Sequence, residues 1–295
     1  MNGLRIWVMA ARPRTLPAAI APVLVGTAAA VYVEEDLRWG AFAAALIGSV
    51  FIQIGTNLAN DYSDARRGVD TVERLGPVRV TAAGLVAPRR VLIATWLAFG
   101  IAVAAGIYLA TVAGPVILAV GVASILAGIL YTGGPRPYGY AGLGEPFVFL
   151  FFGLVAVNGS YFVQLEQLDW LPFGLSLAIG SLATAILVVN NVRDVDTDRR
   201  AGKRTIAVRI GRPASRRLYL GLLALAYAAL LLTLAAEGGP WEAAVGLASL
   251  ALVPAAARPV LTRTDGPSLN GALARTGALL ALFGLAVSAG LVFAA

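Results

Sequence analysis

The chain has 295 residues, of which 59% are hydrophobic and 13% charged, at a mean hydropathy of +0.79; this excludes an ordinary soluble domain and fits a polytopic membrane protein. It holds no cysteine and no histidine, which excludes disulfides, zinc, iron–sulfur clusters, histidine-ligated haem and any imidazole base. The formal charge of +7 would suit nucleic acid as a partner, but its distribution along the chain argues against one.

Apolar segments recur at 15–33, 39–60, 91–110, 115–131, 146–163, 170–190, 216–236, 240–257 and 271–294. Crossing a bilayer takes about 20 apolar residues, so the pattern predicts an all-α protein of nine transmembrane helices. Span 1 has a signal-like lead in Arg5, Arg12 and Arg14 and a run from Ala28 to Ala30. Pro13, Pro17 and Pro22 interrupt it and eight spans follow, so span 1 is expected to be retained.

Nine spans place the termini on opposite sides. With the N-terminus inside, segments 1–14, 61–90, 132–145, 191–215 and 258–275 face inward, and with small adjustments at their edges they hold 22 of the 23 Lys and Arg residues. Only Arg38 lies outside, among Glu34, Glu35, Asp36, Glu166, Asp169, Glu237 and Glu242. The positive-inside rule then gives a cytoplasmic N-terminus, an external C-terminus and a bilayer as the medium.

Two polar clusters end spans 2 and 6. The first, NLANDYSDARRGVD, holds Asn57, Asn60, Asp61, Asp64 and Asp70. The second, NNVRDVDTDRRAGKRT, holds Asn190, Asn191, Asp194 and Asp198. A carboxylate at membrane depth costs roughly 2.5–3.5 kcal/mol, so such residues are usually functional. Continued as helices, Asn57, Asn60, Asp61 and Asp64 fall within an arc of about 100°, and the second set does the same, while Asp196 falls outside it and reads as a solvated charge. Each cluster alone could cap a helix at the boundary; two matched oxygen-rich faces point instead to a hard divalent ion, Mg²⁺ or Mn²⁺, and a phosphorylated substrate. NDYSDARRG set over DVDTDRRAG pairs Asn60 with Asp194, Asp64 with Asp198 and Gly68 with Gly202. This suggests a pseudo-repeat within one domain: spans 1–4 over about 1–135, spans 5–8 over about 136–258, and span 9 added at about 271–294.

Basic residues flank both clusters. Arg66, Arg67, Arg199 and Arg200 fit headgroup anchors, whereas Arg74, Arg79 and Lys203 lie beside glycine-containing turns and are better phosphate ligands. A Gly- and Pro-rich inner loop, YTGGPRPYGYAGLGE, offers Tyr131 and Arg136 to a phosphate, or alternatively an interfacial tyrosine and a lipid anchor. ARPRTLP places Arg12 and Arg14 before span 1, where one could hold an anionic head group or a lipid.

With these motifs in hand, the chain resembles the UbiA superfamily of intramembrane prenyltransferases, within it the branch acting on 1,4-dihydroxy-2-naphthoate. The resemblance rests on ARPRTLP, NDY-x-D-x₃-G-x-D, YTGG-x₂-PYGY and NN-x-RD-x₃-D, spread over residues 11–211. The broad superfamily places a third acid four residues after Asp64; here that position is Gly68 and the acid is Asp70, a displacement shared by the naphthoate branch. Arg136 stands where lysine is common.

The resemblance implies nine helices around a central cavity under a cytoplasmic loop cap, in a bacterial cytoplasmic membrane, with the site facing the cytoplasm. It implies Mg²⁺ held by Asp64, Asp70, Asp194 and Asp198, binding the diphosphate of a polyprenyl donor. The remaining substrate-binding set is Arg14, Asn57, Asn60, Asp61, Arg74, Arg79, Tyr131, Arg136, Asn190, Asn191, Arg193 and Lys203. The implied reaction joins the prenyl group to 1,4-dihydroxy-2-naphthoate with loss of carbon dioxide and diphosphate, giving demethylmenaquinone. A sister enzyme using 4-hydroxybenzoate or another phenol is the alternative. A transporter would gather its polar groups near the bilayer midplane, not at the cytoplasmic ends of spans.

Overall fold

A computed structural model describes residues 2–68, 75–236 and 238–295. Among these there are helices and turns and no strand. The elements, in order, are α1 (Gly3–Ala11), α2 (Pro17–Glu34), α3 (Trp39–Arg67), α4 (Pro88–Ala113), α5 (Val116–Leu130), α6 (Gly144–Val148), a π-helical turn Phe149–Val155, α7 (Ala156–Leu165), α8 (Trp170–Arg200), α9 (Ile206–Ala236), a 3₁₀ stretch Trp241–Leu252, α10 (Val253–Thr262) and α11 (Gly266–Ala294).

Every predicted span meets a helical segment, but length alone does not confirm the count of nine. Among the described residues, eight segments are long and apolar enough to cross a membrane. The predicted span 115–131 is α5, with 15 residues. At 1.5 Å per residue it extends about 22 Å, short of a hydrocarbon core of about 30 Å. The long inner segments also shrink. Helix α3 runs on to Arg67 and α8 to Arg200, and α9 begins at Ile206 with a break at Gly211 before Pro213. The connection after the second cluster is therefore only 201–205. No helix is predicted before span 1, yet α1 is one; it turns Ile6, Met9 and Ala10 onto Leu58 and Val91 and leaves Leu4 and Val8 exposed.

Helix α8 is the axis of the molecule. Its middle is buried on all sides and it packs on α2, α7, α9 and α11. Apolar residues all round, rather than along one stripe, are what a central helix requires. Small residues let the neighbours approach: a Cβ on Gly153 would come 2.7 Å from the Gly180 backbone, so α8 and the π-helical turn touch through two glycines. The rim is lipid-like, with Leu97, Ile107, Val122 and Leu232 exposed. Trp39, Trp170 and Trp241 stand exposed where three helical segments begin, all on the side the charge pattern assigns to the exterior, as in an interfacial aromatic belt.

Both acid motifs lie in the last turns of long helices. Helix α3 is closed by Gly68 at φ 64 and α8 is followed by Gly202 at φ 73. Left-handed glycines of this kind end helices without a Cβ clash, and they stop both chains just past the aligned Asp64 and Asp198.

Candidate active site

Helices α3 and α8 deliver their carboxylates to one polar chamber of about 730 Å³. Asp64, Arg79, Tyr131, Asn190, Asn191, Asp194, Asp198 and Lys203 line it, so eight residues singled out from sequence come together here. A second, largely apolar chamber of about 640 Å³ adjoins it, and Arg79, Tyr131 and Asn190 line both. Arg14, Asn57 and Asn60 belong to the apolar chamber. Asp61, Arg136 and Arg193 line neither, and Asp70 and Arg74 lie outside the described residues.

Each described acid of the polar chamber meets an internal cation. Asp64 is buried; Arg79 Nη2 lies 2.6 Å from its Oδ2, and the Tyr140 hydroxyl donates to its Oδ1. Asp198 Oδ1 lies 3.5 Å from Lys203 Nζ. That ammonium also stands 4.7 Å from the centroid of the Tyr140 ring. Asp194 receives two bonds from Arg193, Nε at 2.8 Å and Nη2 at 2.5 Å. The fork geometry of arginine makes such a pair directional.

Arg193 itself is 1% exposed. Besides Asp194 it donates to Asn190 Oδ1 at 2.6 Å and to Asn270 Oδ1 at 2.6 Å. Asn270 Nδ2 in turn holds the Leu75 carbonyl at 2.8 Å. The guanidinium thus orients the acid and ties α8 to α11 and to the loop after α3. Asp61 has a similar structural office: it is 2% exposed and accepts from Val80 N at 2.9 Å and Thr81 N at 3.0 Å. Those bonds seat the loop that carries Arg79.

The asparagines divide likewise. Asn57 Nδ2 donates to Ala11 O at 3.0 Å and Thr15 Oγ1 at 3.1 Å, which pins the ARPRTLP turn, with Arg12 at φ 55, against α3. Asn60 accepts from Thr132 Oγ1 at 2.8 Å, and Asn191 donates to Glu145 Oε1 at 2.9 Å. Arg136 is exposed on the Gly–Pro loop. Asp196 is exposed as well and faces Arg212 at 3.0 Å.

Sequence reasoning passed over several residues of the polar chamber. Arg67 and Arg200, read as lipid anchors, line it, whereas Arg66 and Arg199 do not. Tyr140 reaches Asp64 from the loop, which is held to the end of α8 by Arg204 N donating to Tyr140 O at 2.8 Å. The helical wheel separates Arg67 from Arg66, but no local signal marks Tyr140, because only the loop's fold turns it inward. Burial first, then the nearby Asp64 charge, pushes the Tyr140 phenol up. Its hydroxyl is a neutral donor at physiological pH.

The UbiA prenyltransferase family model matches residues 19–279. A 1,4-dihydroxy-2-naphthoate octaprenyltransferase from Mycobacterium tuberculosis is 44% identical over 287 residues, covering 97% of each chain. One from Escherichia coli is 40% identical, covering 74% of this chain and 72% of its own. Among solved structures, a UbiA homolog from Aeropyrum pernix superposes with a TM-score of 0.68 at 16% identity, over 93% of this chain and 97% of its own. A UbiA homolog from Archaeoglobus fulgidus bound to GPP and Mg²⁺ gives 0.62 at 15% identity, over 97% and 99%. These two likenesses concern the fold.

Proposed function

Because the chain belongs to the UbiA prenyltransferase family, we propose that it transfers a polyprenyl group from a polyprenyl diphosphate to 1,4-dihydroxy-2-naphthoate. The observation that carries this reading is the pair of joined chambers. One is lined by acids and bases, the other by apolar side chains, and Arg79, Tyr131 and Asn190 stand at their seam. A prenyl diphosphate has the same two halves, and its reacting C–O bond would sit at that seam. The names of the mycobacterial and enterobacterial relatives support the naphthoate as acceptor.

The donor set suits Mg²⁺, or Mn²⁺ in its place. Asp64, Asp194 and Asp198 offer only hard oxygen atoms to one chamber. Among the described residues no three acidic side chains form a ready-made metal cluster. Mg²⁺ fits that pattern, since it uses one or two carboxylates and completes its shell with water and substrate phosphate. Asp64, Asp194 and Asp198, with Asp70, would hold it. When bound, it supplies charge neutralisation at the leaving diphosphate.

The chain's own groups do the rest. Arg79 and Lys203, with Arg67 and Arg200, offer cations to the diphosphate oxygens, where charge grows as the C–O bond breaks. Tyr131 can donate to the same oxygens, while the single proton of Tyr140 is given to Asp64. The apolar chamber keeps water from the allylic cation. The ring carbon bearing the carboxylate then bonds to the prenyl carbon. Carbon dioxide leaves, and the electron pair of the broken bond restores the aromatic ring. The product is the reduced form of demethylmenaquinone.

Arg14, exposed on the turn that Asn57 pins, would hold the acceptor carboxylate at the mouth of the apolar chamber. The excess of basic residues supports a cytoplasmic mouth in a bacterial plasma membrane. Incubation of the purified protein with a prenyl diphosphate, Mg²⁺ and either 1,4-dihydroxy-2-naphthoate or 4-hydroxybenzoate tests the assignment. Product from the naphthoate alone is expected; preference for 4-hydroxybenzoate would overturn it.

A further inference from the structure

We propose that Gln53 on α3 is a specificity-determining residue for the acceptor: its amide oxygen accepts a hydrogen bond from the 4-hydroxyl of the naphthoate. This rests on the naphthoate prenyltransferase reading above. Gln53 is 8% exposed and lines the apolar chamber, one helical turn before Asn57. It belongs to none of the sequence motifs. An amide in such surroundings is costly unless both its ends are bonded, and the protein bonds only one of them. Gln53 Nε2 donates to Thr15 Oγ1 at 3.1 Å.

What each atom can donate or accept settles the direction of these bonds. The carbonyls of Ala11 and Arg12 only accept. Asn57 meets Ala11 O, so it turns its nitrogen that way, and the same nitrogen donates to Thr15 Oγ1. Thr15 gives its one proton to Arg12 O at 3.0 Å. The Thr15 oxygen can therefore only accept from Gln53, and Gln53 must offer it nitrogen. The Gln53 amide oxygen is left over. Among the described residues nothing donates to it, and it is not sealed inside the protein; the open side of the residue is the chamber. The chamber thus holds an oriented hydrogen-bond acceptor tied to Thr15, the residue after Arg14. A ligand that fits both presents an anion to Arg14 and a donor to Gln53. In 1,4-dihydroxy-2-naphthoate the 1-hydroxyl is bonded to the neighbouring carboxylate, and the 4-hydroxyl is the free donor.

The probe is 1-hydroxy-2-naphthoate. It keeps the carboxylate and the hydroxyl ortho to the reacting carbon. It lacks only the 4-hydroxyl, which is meta to that carbon and feeds it no electrons through the ring. Wild type should favour the diol over this analogue about ten- to a hundred-fold in kcat/KM, because the analogue leaves a buried acceptor unpaired. Gln53→Met keeps the side-chain length and removes the acceptor. Its preference for the diol should fall to about three-fold or less, with the KM for the prenyl diphosphate unchanged. Gln53→Glu keeps an acceptor oxygen and should keep the preference. If Gln53 only pins the turn through Thr15, its loss harms both acceptors alike and the preference survives in Gln53→Met. That outcome, no preference in wild type, or an equal loss of preference in Gln53→Glu would overturn the assignment while naphthoate turnover still upheld the functional reading. Wild type that prenylates 4-hydroxybenzoate and neither naphthoate would overturn the functional reading, and the role of Gln53 with it.

Discussion

Asp194 and Asp196 lie two residues apart on α8 and meet opposite surroundings. Asp194 is buried in the fork of Arg193, while the Asp196 side chain is 55% exposed and faces Arg212. Asp194→Ala or Asp198→Ala should lower turnover by about 10² or more, the effect of removing one electrostatic stabiliser. Asp196→Ala should stay within about three-fold of wild type; steady-state rates in detergent check both. Arg193→Leu strands a buried carboxylate, and breaking such a pair costs about 3–5 kcal/mol, which thermal unfolding would register. The Tyr140 phenol carries a pH consequence. Its raised pKa keeps it protonated above the normal tyrosine range, so no alkaline limb near pH 10 should come from it. Tyr140→Phe should lower kcat while leaving the shape of the pH profile unchanged; a lost alkaline limb would contradict the assignment. The periodicity of α3 and α8 made the acids legible in the sequence. It did not reveal that Arg193 and Asp61 face their own protein, because both acids and bases suit a ligand and only the fold says which partner they meet.

At the level of elements, the site depends on segments that look incidental in the sequence. Asp61 seats the 79–81 loop through two backbone N–H groups. Asp61→Asn keeps one acceptor oxygen and should weaken the seat by about 1.5–3 kcal/mol, the worth of bonds to a charged group. Because that loop carries Arg79, the KM for the prenyl diphosphate should rise more than the KM for the acceptor. Varying each substrate in turn separates the two. The N-terminal turn gives the converse case: Arg14→Ala should raise the KM for the naphthoate about ten- to a hundred-fold with little change for the donor. The spans were legible to within a few residues at many of their ends, since long apolar runs leave little choice. The additional turns of α3, α8 and α9 were not, because polar residues beyond a span read equally as helix or loop. Nor was α1, nine residues long, which owes its order to packing on α3. Gly68 and Gly202, aligned in the two motifs, both take a left-handed conformation just past α3 and α8.

For the whole molecule, the charge pattern and the tryptophan positions describe one orientation. Arg136 belongs to the side of the acid motifs, and Glu34 to the side of Trp39. The absence of cysteine allows a direct check. Arg136→Cys should react with an impermeant maleimide in inside-out vesicles and not in spheroplasts, and Glu34→Cys should do the reverse; identical labelling of both would reject the topology. On the proposed function, the ends of α3 and α8 form one metal-dependent site that ionises a prenyl diphosphate. The most direct measurement is the release of diphosphate and of labelled carbon dioxide from carboxyl-labelled 1,4-dihydroxy-2-naphthoate by the purified protein. The two should appear in equal amounts, cease on chelation, return with Mg²⁺, and be nearly abolished by Asp64→Ala and by Asp198→Ala alone. Undiminished release after thorough chelation, or in either variant, would contradict it.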